Sequence, residues 1–140
     1  MLEFTAKKKN IELIVDKENE IETNVNADKE KIEQVLTNLI DNSIKYGKDN
    51  GTTEVVIQNL NENKIIVRVT DNGVGFEKEN YTRIFERFFR IDKSGSRSAG
   101  GSGLGLSIVK HIIDSHDEKI YVESEYGVGS EFSFSLEKSK

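Results

Sequence analysis

Three glycines alternate in the stretch SAGGSGLGLSIVKHI, at Gly101, Gly103 and Gly105, just before an apolar run with helical spacing. Backbone N–H groups at the start of a helix bind anions, so phosphate binding is one interpretation. A Walker A loop requires a lysine after its last glycine, and a dinucleotide-binding loop requires G-x-G-x-x-G after a strand. The stretch meets neither requirement, and a plain flexible connector is the alternative.

Two asparagines lie one helical turn apart, at Asn38 and Asn42, in a segment whose apolar spacing predicts a helix over residues 28–46. Asparagine is a poor choice for a helix interior, and Lys45 and Tyr46 continue the same stripe. Amide oxygens beside a lysine can hold a hydrated Mg²⁺ and a phosphate. Taken in isolation, the stripe is more simply a solvated helix face.

A carboxylate stands where a predicted strand ends, at Asp71 in TDNGVGF. Gly73 and Gly75 follow it and allow backbone to approach a ligand closely. A carboxylate in this position can accept a hydrogen bond from the exocyclic amine of adenine. The alternative is a tight turn, because D-N-G is a good turn sequence.

The motifs follow one another in the order N-x-x-x-N, D-x-G-x-G, F-E-R-F-F-R and G-x-G-x-G. In this the chain resembles the nucleotide-binding domain of sensor histidine kinases, within the gyrase, heat-shock-ninety, histidine kinase and MutL (GHKL) ATPase superfamily. The resemblance runs from about Lys7 to Leu136. Its N box matches QVLTNLIDNSIKYG, and its first glycine box matches DNGVGF. Its phenylalanine box matches IFERFFRID, and its second glycine box matches GGSGLGLSIVKHI.

The resemblance implies Mg²⁺ and ATP as cofactors and assigns a role to each matching residue. Asn42, and with it Asn38, would bind Mg²⁺, while Lys45 would reach the phosphates. Tyr46 would lie against the adenine, and Asp71 would accept its amine, with Gly73 and Gly75 close to the base. Phosphate binding would fall to Gly101, Gly103, Leu104 and Gly105, and catalysis to Arg90 and Arg97 together with Asn38 and Lys45. Arg87 would contact the γ-phosphate or brace a lid. Docking of that lid would fall to Phe85 and Phe88.

The implied fold is α+β, a two-layer sandwich of the Bergerat type with a mixed five-stranded sheet, three helices and a long ATP lid over about residues 76–103. Alternation and turn signals predict strands over residues 11–16, 54–60 and 64–71, in KIYVES and in SEFSFSL, with a weaker strand in ETNVNAD. A last helix is predicted from Gly105 to about His116. His116-Asp117-Glu118 follows it where the family often has His-Gly-Gly, and Asp tolerates a left-handed turn.

Composition excludes several other function classes. The chain has 140 residues, 25 acidic and 20 basic side chains, a net charge of −5, two histidines and no cysteine. A disulfide framework and a thiolate metal site are excluded, a structural zinc site is disfavoured, and the acidic balance argues against nucleic acid as a partner. No apolar run approaches the roughly 20 residues of a membrane span. We therefore expect one soluble, cytoplasmic, monomeric domain without direct membrane contact.

The phosphoacceptor histidine of the family has no counterpart here, because His111 and His116 lie on or after the last predicted helix. Residues 1–10 resemble the end of a linker from a dimerisation and phosphotransfer hairpin. We expect the chain to be part of a longer kinase, which could be membrane-bound, and to donate the γ-phosphate to a histidine on that hairpin and indirectly to a response regulator. The alternatives are a serine kinase of the anti-sigma-factor type and a nucleotide-gated binding module without transfer activity.

Overall fold

A computed structural model describes residues 12–17, 25, 27–87, 89 and 105–138. The α+β class predicted from the sequence is confirmed. The elements in chain order are β1 (Glu12–Lys17), α1 (Lys29–Lys45), β2 (Thr52–Asn59), β3 (Lys64–Asp71), a 3-10 turn (Lys78–Asn80), α2 (Gly105–Ser115), β4 (Ile120–Glu125) and β5 (Gly129–Glu137).

The strands form one sheet in the order β1-β2-β3-β5-β4. The pairs β2–β3, β3–β5 and β5–β4 are antiparallel, whereas β1 pairs in parallel with β2 at one edge. The register places Asp71, the last residue of β3, opposite Thr53 of β2 and Ser130 of β5. Three strands therefore meet around this carboxylate.

α1 begins at a capping residue that the sequence predicted. The Asp28 side chain accepts a hydrogen bond from the Lys31 N–H at 3.2 Å, which satisfies one of the free N–H groups of the first turn. Glu30 in the first turn and Lys45 in the last turn complement the helix dipole. The helix ends at Lys45, so the asparagines predicted to share its face lie well inside it.

Both helices lie on one face of the sheet, and the hydrophobic core fills the space between the two layers. α1 and α2 bury residues three and four positions apart, as amphipathic helices do. β5 alternates apolar residues toward the helices with serines on the opposite face, in the period of a strand. The core residues include Val35, Leu39, Val67, Val69, Val109, Ile113, Phe132 and Phe134.

The turn after α2 takes the altered form expected from its sequence. Asp117 has φ 56, in the left-handed region, so an aspartate fills a conformation that glycine usually adopts. The His116 ring connects the two helices: Nδ1 lies 2.9 Å from the Ile112 carbonyl oxygen, and Nε2 accepts from the Asp28 N–H at 3.1 Å. The end of α2 is thereby joined to the start of α1.

One expectation about elements does not hold in the described residues. The structure there contains two α-helices and one 3-10 turn, in place of the three helices expected. After β3 the chain turns Phe76 and Tyr81 onto the sheet, so only a short 3-10 turn forms between them. Of the weaker strand predicted in ETNVNAD, the structure describes Val25, which forms an isolated bridge with Lys138, and residues 27 and 28. The rest of that segment and the predicted linker over residues 1–10 lie outside the described part.

A search of the described residues for membrane spans finds no helix with the length and apolar character to cross a bilayer.

Candidate functional site

Asp71 stands at the end of β3 as a partly buried carboxylate that accepts a backbone hydrogen bond. The Gly73 N–H donates to its Oδ1 at 2.9 Å. Burial raises the pKa of Asp71 above its ordinary 3.8, and the nearby donors of Gly73, Ser43 and Ser130 act in the opposite direction by favouring the ionised form. One carboxylate oxygen is thus bound to the loop after β3, and part of the group stays exposed.

A pair of buried hydroxyls lies behind Asp71, and sequence reasoning missed it. The Ser43 and Thr53 oxygens are 2.8 Å apart, and the two residues are only 3% and 0% exposed. Ser43 belongs to the core-facing side of α1, among residues such as Leu39. The sequence did contain a signal, because Ser43 is a polar residue on the apolar stripe of α1. A buried hydroxyl requires a hydrogen-bond partner, so a second polar group was to be expected beside it.

The last turn of α1 packs directly on the loop that follows Asp71. The Val74 N–H donates to the Tyr46 carbonyl oxygen at 3.1 Å. A Cβ atom on Gly73 would overlap that same carbonyl oxygen and lie 2.9 Å from Asp71 Oδ1. The close approach predicted at Gly73 therefore exists, but it is to the α1 terminus. Tyr46 itself is 38% exposed beside the loop.

The turn between β4 and β5 closes the other side of this loop. Gly75 has φ +65, and a Cβ atom there would overlap the Glu125 carbonyl oxygen. A Cβ atom on Gly129 would overlap the Asp71 carbonyl oxygen. The sequence indicated a turn at YGVG but not its contact with Asp71. Because three chain segments meet at backbone distance here, the position of Asp71 is rigidly defined.

The asparagines of α1 are half-buried, and Asn38 lies beside the start of α2. Asn38 Nδ2 donates to the Gly105 carbonyl oxygen at 3.4 Å. Lys45 forms an ion pair with Asp41, with 3.0 Å between Nζ and Oδ2. The structure therefore brings Asn38 to Gly105, one of the glycines predicted to bind phosphate, while Lys45 is engaged with a neighbour one turn away.

The part of the predicted lid that the structure describes packs on the sheet. Phe76 and Tyr81 are edge-on to each other at 5.7 Å, and the Tyr81 hydroxyl donates to the Ser124 carbonyl oxygen at 2.6 Å. Phe85 lies edge-on to Phe132 at 6.1 Å, so it packs on the domain itself. The Arg87 side chain is exposed. The other predicted residues of this region, Phe88, Arg90, Arg97, Gly101, Gly103 and Leu104, lie outside the described residues.

A cleft of about 500 Å³ opens at the same end of the sheet. Its walls include Asp71, Glu123, Glu125 and Glu131 against one lysine, Lys78. This acidic lining is unsuited to a triphosphate. Within the described residues, no group of three or more His, Cys, Asp or Glu side chains could hold a metal ion. Amide and phosphate oxygens are the remaining ligands for a hard cation such as Mg²⁺.

Comparison with known proteins gives a consistent family. The family model described as histidine kinase-, DNA gyrase B- and HSP90-like ATPase matches residues 27–140. Among curated proteins, the sensor-like histidine kinase SenX3 of Mycolicibacterium smegmatis is 44% identical over 101 residues, which are 72% of this chain and 26% of that protein. The chain therefore spans about a quarter of the length of this relative.

Solved structures with similar folds point the same way. The nucleotide-free catalytic domain of histidine kinase ThkA is 33% identical, with a TM-score of 0.80 over 99% of this chain and 88% of that one. ThkA in complex with the response regulator TrrA is 32% identical, with a TM-score of 0.78 over 99% of this chain and 37% of that one. Full-length ShkA in complex with AMPPNP is 26% identical, with a TM-score of 0.84 over 99% of this chain and 29% of that one.

Proposed function

This chain belongs to the family of histidine kinase-, DNA gyrase B- and HSP90-like ATPases, as a catalytic domain of the sensor histidine kinase type, and from this premise we propose how its residues hold Mg-ATP and where the phosphate goes. Binding of ATP agrees with the family and with the AMPPNP complex of ShkA. The observation that carries the assignment is Asp71, a partly buried carboxylate that accepts the Gly73 N–H beside the α1 terminus.

In this proposal Asp71 recognises the adenine. Its ionised carboxylate accepts the 6-amino group, while Tyr46 lies against the ring from the end of α1. Gly73 and Gly75 allow the loop after β3 to pack closely on its neighbours at this edge, since side chains at either position would collide with the backbone. The partial burial of Asp71 strengthens the hydrogen bond to the amine, because charge-assisted hydrogen bonds are stronger where water is excluded.

The triphosphate is placed along α1 toward the start of α2. Asn42 and Asn38 supply amide oxygens to Mg²⁺, and Lys45 leaves Asp41 to pair with the phosphates. Gly101, Gly103, Leu104 and Gly105 supply backbone N–H groups at the start of α2, where anions are favoured. The contact between Asn38 and Gly105 supports this placement, because it joins the two proposed phosphate-binding elements. Arg90 and Arg97, on the lid, complete the site with guanidinium groups that can pair two phosphate oxygens.

The proposed reaction is transfer of the γ-phosphate to a histidine on a separate helical hairpin domain. Phosphoryl transfer depends mainly on positioning and charge neutralisation, which Mg²⁺, Lys45 and the two arginines would supply. Neither histidine of this chain lies on such a hairpin, since His111 is on α2 and His116 joins the end of α2 to the start of α1. A response regulator is the expected next acceptor, as in the ThkA complex. We expect a cytoplasmic domain that is monomeric by itself.

The first test is calorimetry of the purified chain with Mg-ATP. We expect binding at a single site that requires Mg²⁺ for full affinity. Absence of any heat or thermal stabilisation with Mg-ATP would remove the proposed function.

The second test mixes the chain with a separate histidine hairpin and ATP labelled at the γ-phosphate. An acid-labile phosphoprotein is expected, because phosphohistidine hydrolyses in acid. An acid-stable product would instead support the serine kinase, and binding without any phosphoprotein would support a nucleotide-gated module. The relatives described above, all histidine kinases, do not favour either alternative.

A further inference from the structure

We propose that Asn72 is a positioning residue whose side chain fixes the Gly73 N–H against the carboxylate of Asp71 and so strengthens the preference for a 6-aminopurine base. This inference rests on the proposed binding of ATP at Asp71. Asn72 acts through its neighbours in the loop after β3, and no contact between its own side chain and the nucleotide is required.

The Asn72 side chain extends the pairing of β2 and β3 by one residue beyond the end of β3. Asp71 is opposite Thr53 in the strand register, so the next pair along the hairpin is Thr52 with Asn72. The Asn72 N–H donates to the Thr52 carbonyl oxygen at 3.4 Å, as in a regular ladder. The Thr52 N–H donates at 2.8 Å to Oδ1 of the Asn72 side chain. An amide oxygen therefore takes the place of a backbone acceptor.

This replacement releases the peptide group between Asn72 and Gly73 from the ladder. In a regular antiparallel pair, two opposite residues exchange both backbone hydrogen bonds, so the Asn72 carbonyl oxygen would accept the Thr52 N–H. Because Oδ1 accepts it instead, the peptide group can turn, and its N–H donates to Asp71 Oδ1 at 2.9 Å. The Asn72 side chain thus connects the start of β2 to the orientation of the Asp71 carboxylate.

The loop after β3 is held from two sides, and only one of these contacts uses a side chain. Toward α1, the Val74 N–H donates to the Tyr46 carbonyl oxygen at 3.1 Å, from backbone to backbone. Toward β2, a Cβ atom on Gly51 would lie only 2.8 Å from Asn72 Oδ1, so the side chain fits closely there. A substitution at Asn72 can therefore remove the β2 contact while the α1 contact remains.

Loss of the amide oxygen would leave the Gly73 N–H without a fixed direction. The Asp71 carboxylate could then rotate about its last bond, and its contact with the adenine amine would weaken. The contacts proposed for the triphosphate belong to α1 and the start of α2, so they would be unaffected. A residue that served only the stability of the hairpin would instead leave the preference between nucleotides unchanged.

The first test compares Asn72→Ala with the natural chain, using ATP and purine riboside triphosphate, which has hydrogen in place of the 6-amino group. Loss of one hydrogen bond predicts an ATP affinity about threefold to tenfold lower, with an unchanged affinity for the analogue. Asn72→Asp keeps an acceptor oxygen and should keep the natural ratio of the two dissociation constants. Asn61→Ala is the matched control, because Asn61 Oδ1 accepts the N–H groups of Asn63 and Lys64 at the opposite end of the same hairpin.

A second measurement needs no nucleotide. The Gly73 N–H favours the ionised form of Asp71, so the pKa of Asp71 should rise further in Asn72→Ala and stay unchanged in Asn61→Ala. An NMR titration of the Asp71 carboxyl carbon measures this. If Asn72→Ala does not fold, Asn72→Ser takes its place in both tests, because serine suits turns but its shorter side chain withdraws the oxygen from Thr52.

The outcomes separate this inference from the proposed function. Equal losses for both nucleotides, an unchanged ratio, or an unchanged pKa of Asp71 in the folded variant would overturn the positioning role while leaving ATP binding intact. If the natural chain does not bind Mg-ATP, the proposed function fails, and the NMR titration still decides whether Asn72 positions the carboxylate.

Discussion

At the scale of single residues, Asp71 combines a proposed binding role with an energetic disadvantage. Its burial raises the pKa in the folded state above the ordinary 3.8. The folded chain therefore binds this proton more tightly than the unfolded chain does, and ionisation of Asp71 opposes folding. Its stabilising contribution is fully present below pH 3.8 and is lost as pH rises through the folded-state pKa. A carboxylate that reduces stability at neutral pH is expected at a functional site.

Replacement of Asp71 by Asn separates binding from stability. The amide still accepts the Gly73 N–H but carries no charge, so ATP affinity should fall at least about tenfold. Thermal stability at pH 7 should stay the same or rise, because the buried charge is gone. Calorimetry and thermal denaturation of the same preparation measure both effects. A Tm lower by about 4 °C or more, roughly 1 kcal/mol in a domain of this size, would contradict the argument.

The pH dependence of stability gives a second prediction from Asp71. As pH falls from 7 toward 4, the natural chain should gain free energy of unfolding relative to Asp71→Asn, since only the natural chain takes up the proton. Denaturant titrations at several pH values measure this difference directly. A difference that stays constant, or moves the other way, would mean that Asp71 is not buried as described.

At the scale of elements, backbone contacts at the ends of α1, β3 and β4 define the site. The start of α1 is held by the Asp28 side chain and by His116 at the end of α2. The far end of α1 meets the loop after β3, which in turn meets the β4–β5 turn. A change in any of these contacts would shift the proposed adenine site and the proposed phosphate site together.

The cap of α1 can be tested with Asp28→Ala and Asp28→Asn. Alanine removes the acceptor for the Lys31 N–H and should reduce the free energy of unfolding by about 1 kcal/mol. Asparagine retains an acceptor oxygen and should change stability much less. Denaturant unfolding compares the two variants, and equal effects would show that the charge of Asp28, and not its capping hydrogen bond, stabilises the helix.

The loop after β3 can be tested with Gly75→Ala against Gly127→Ala. Both glycines have positive φ, but a Cβ atom at Gly75 overlaps the Glu125 carbonyl oxygen, whereas one at Gly127 meets no atom within 4 Å. Gly127→Ala should therefore lower stability by only about 1–2 kcal/mol, the conformational penalty alone. Gly75→Ala should lower it by more and should also weaken ATP binding, because the loop carries Asp71. Similar losses in both variants would contradict the close contact.

At the scale of the whole molecule, ATP in the proposed site would connect the end of the sheet with the helical layer. Asp71 lies at the end of the sheet, while Asn42 and the start of α2 belong to the helical layer. A ligand that spans these parts stabilises the folded state in proportion to its affinity and concentration. In the proposed function, the same binding would present the γ-phosphate to a partner domain that carries the histidine.

Thermal denaturation with Mg-ATP measures this coupling. At a ligand concentration of about 100 times Kd, the stabilisation should be about 2.7 kcal/mol, which corresponds to a rise in Tm of roughly 6–10 °C. Removal of Mg²⁺ with EDTA, or Asn42→Ala, should reduce the rise. A rise that is identical with and without Mg²⁺ would exclude the proposed role of the asparagines in metal binding.

Several parts of this protein follow from the sequence by itself. The strands, the two α-helices and the Asp28 cap depend on spacing and on residues three or four positions apart, so local patterns predict them. The left-handed turn at Asp117 was predictable for the same reason. The order of the motifs also indicates the family, and it singles out Asp71 as the carboxylate that follows a strand and precedes a glycine pair.

The tertiary structure alone decided how Asp71 is held and what surrounds it. Ser43, Thr53 and Ser130 come from three elements, and only the strand register and helix packing bring them together. Lys45 pairs with Asp41, an outcome of side-chain geometry that spacing permits but does not require. Contacts between residues distant in the chain depend on how the layers pack, and local sequence patterns do not specify that packing.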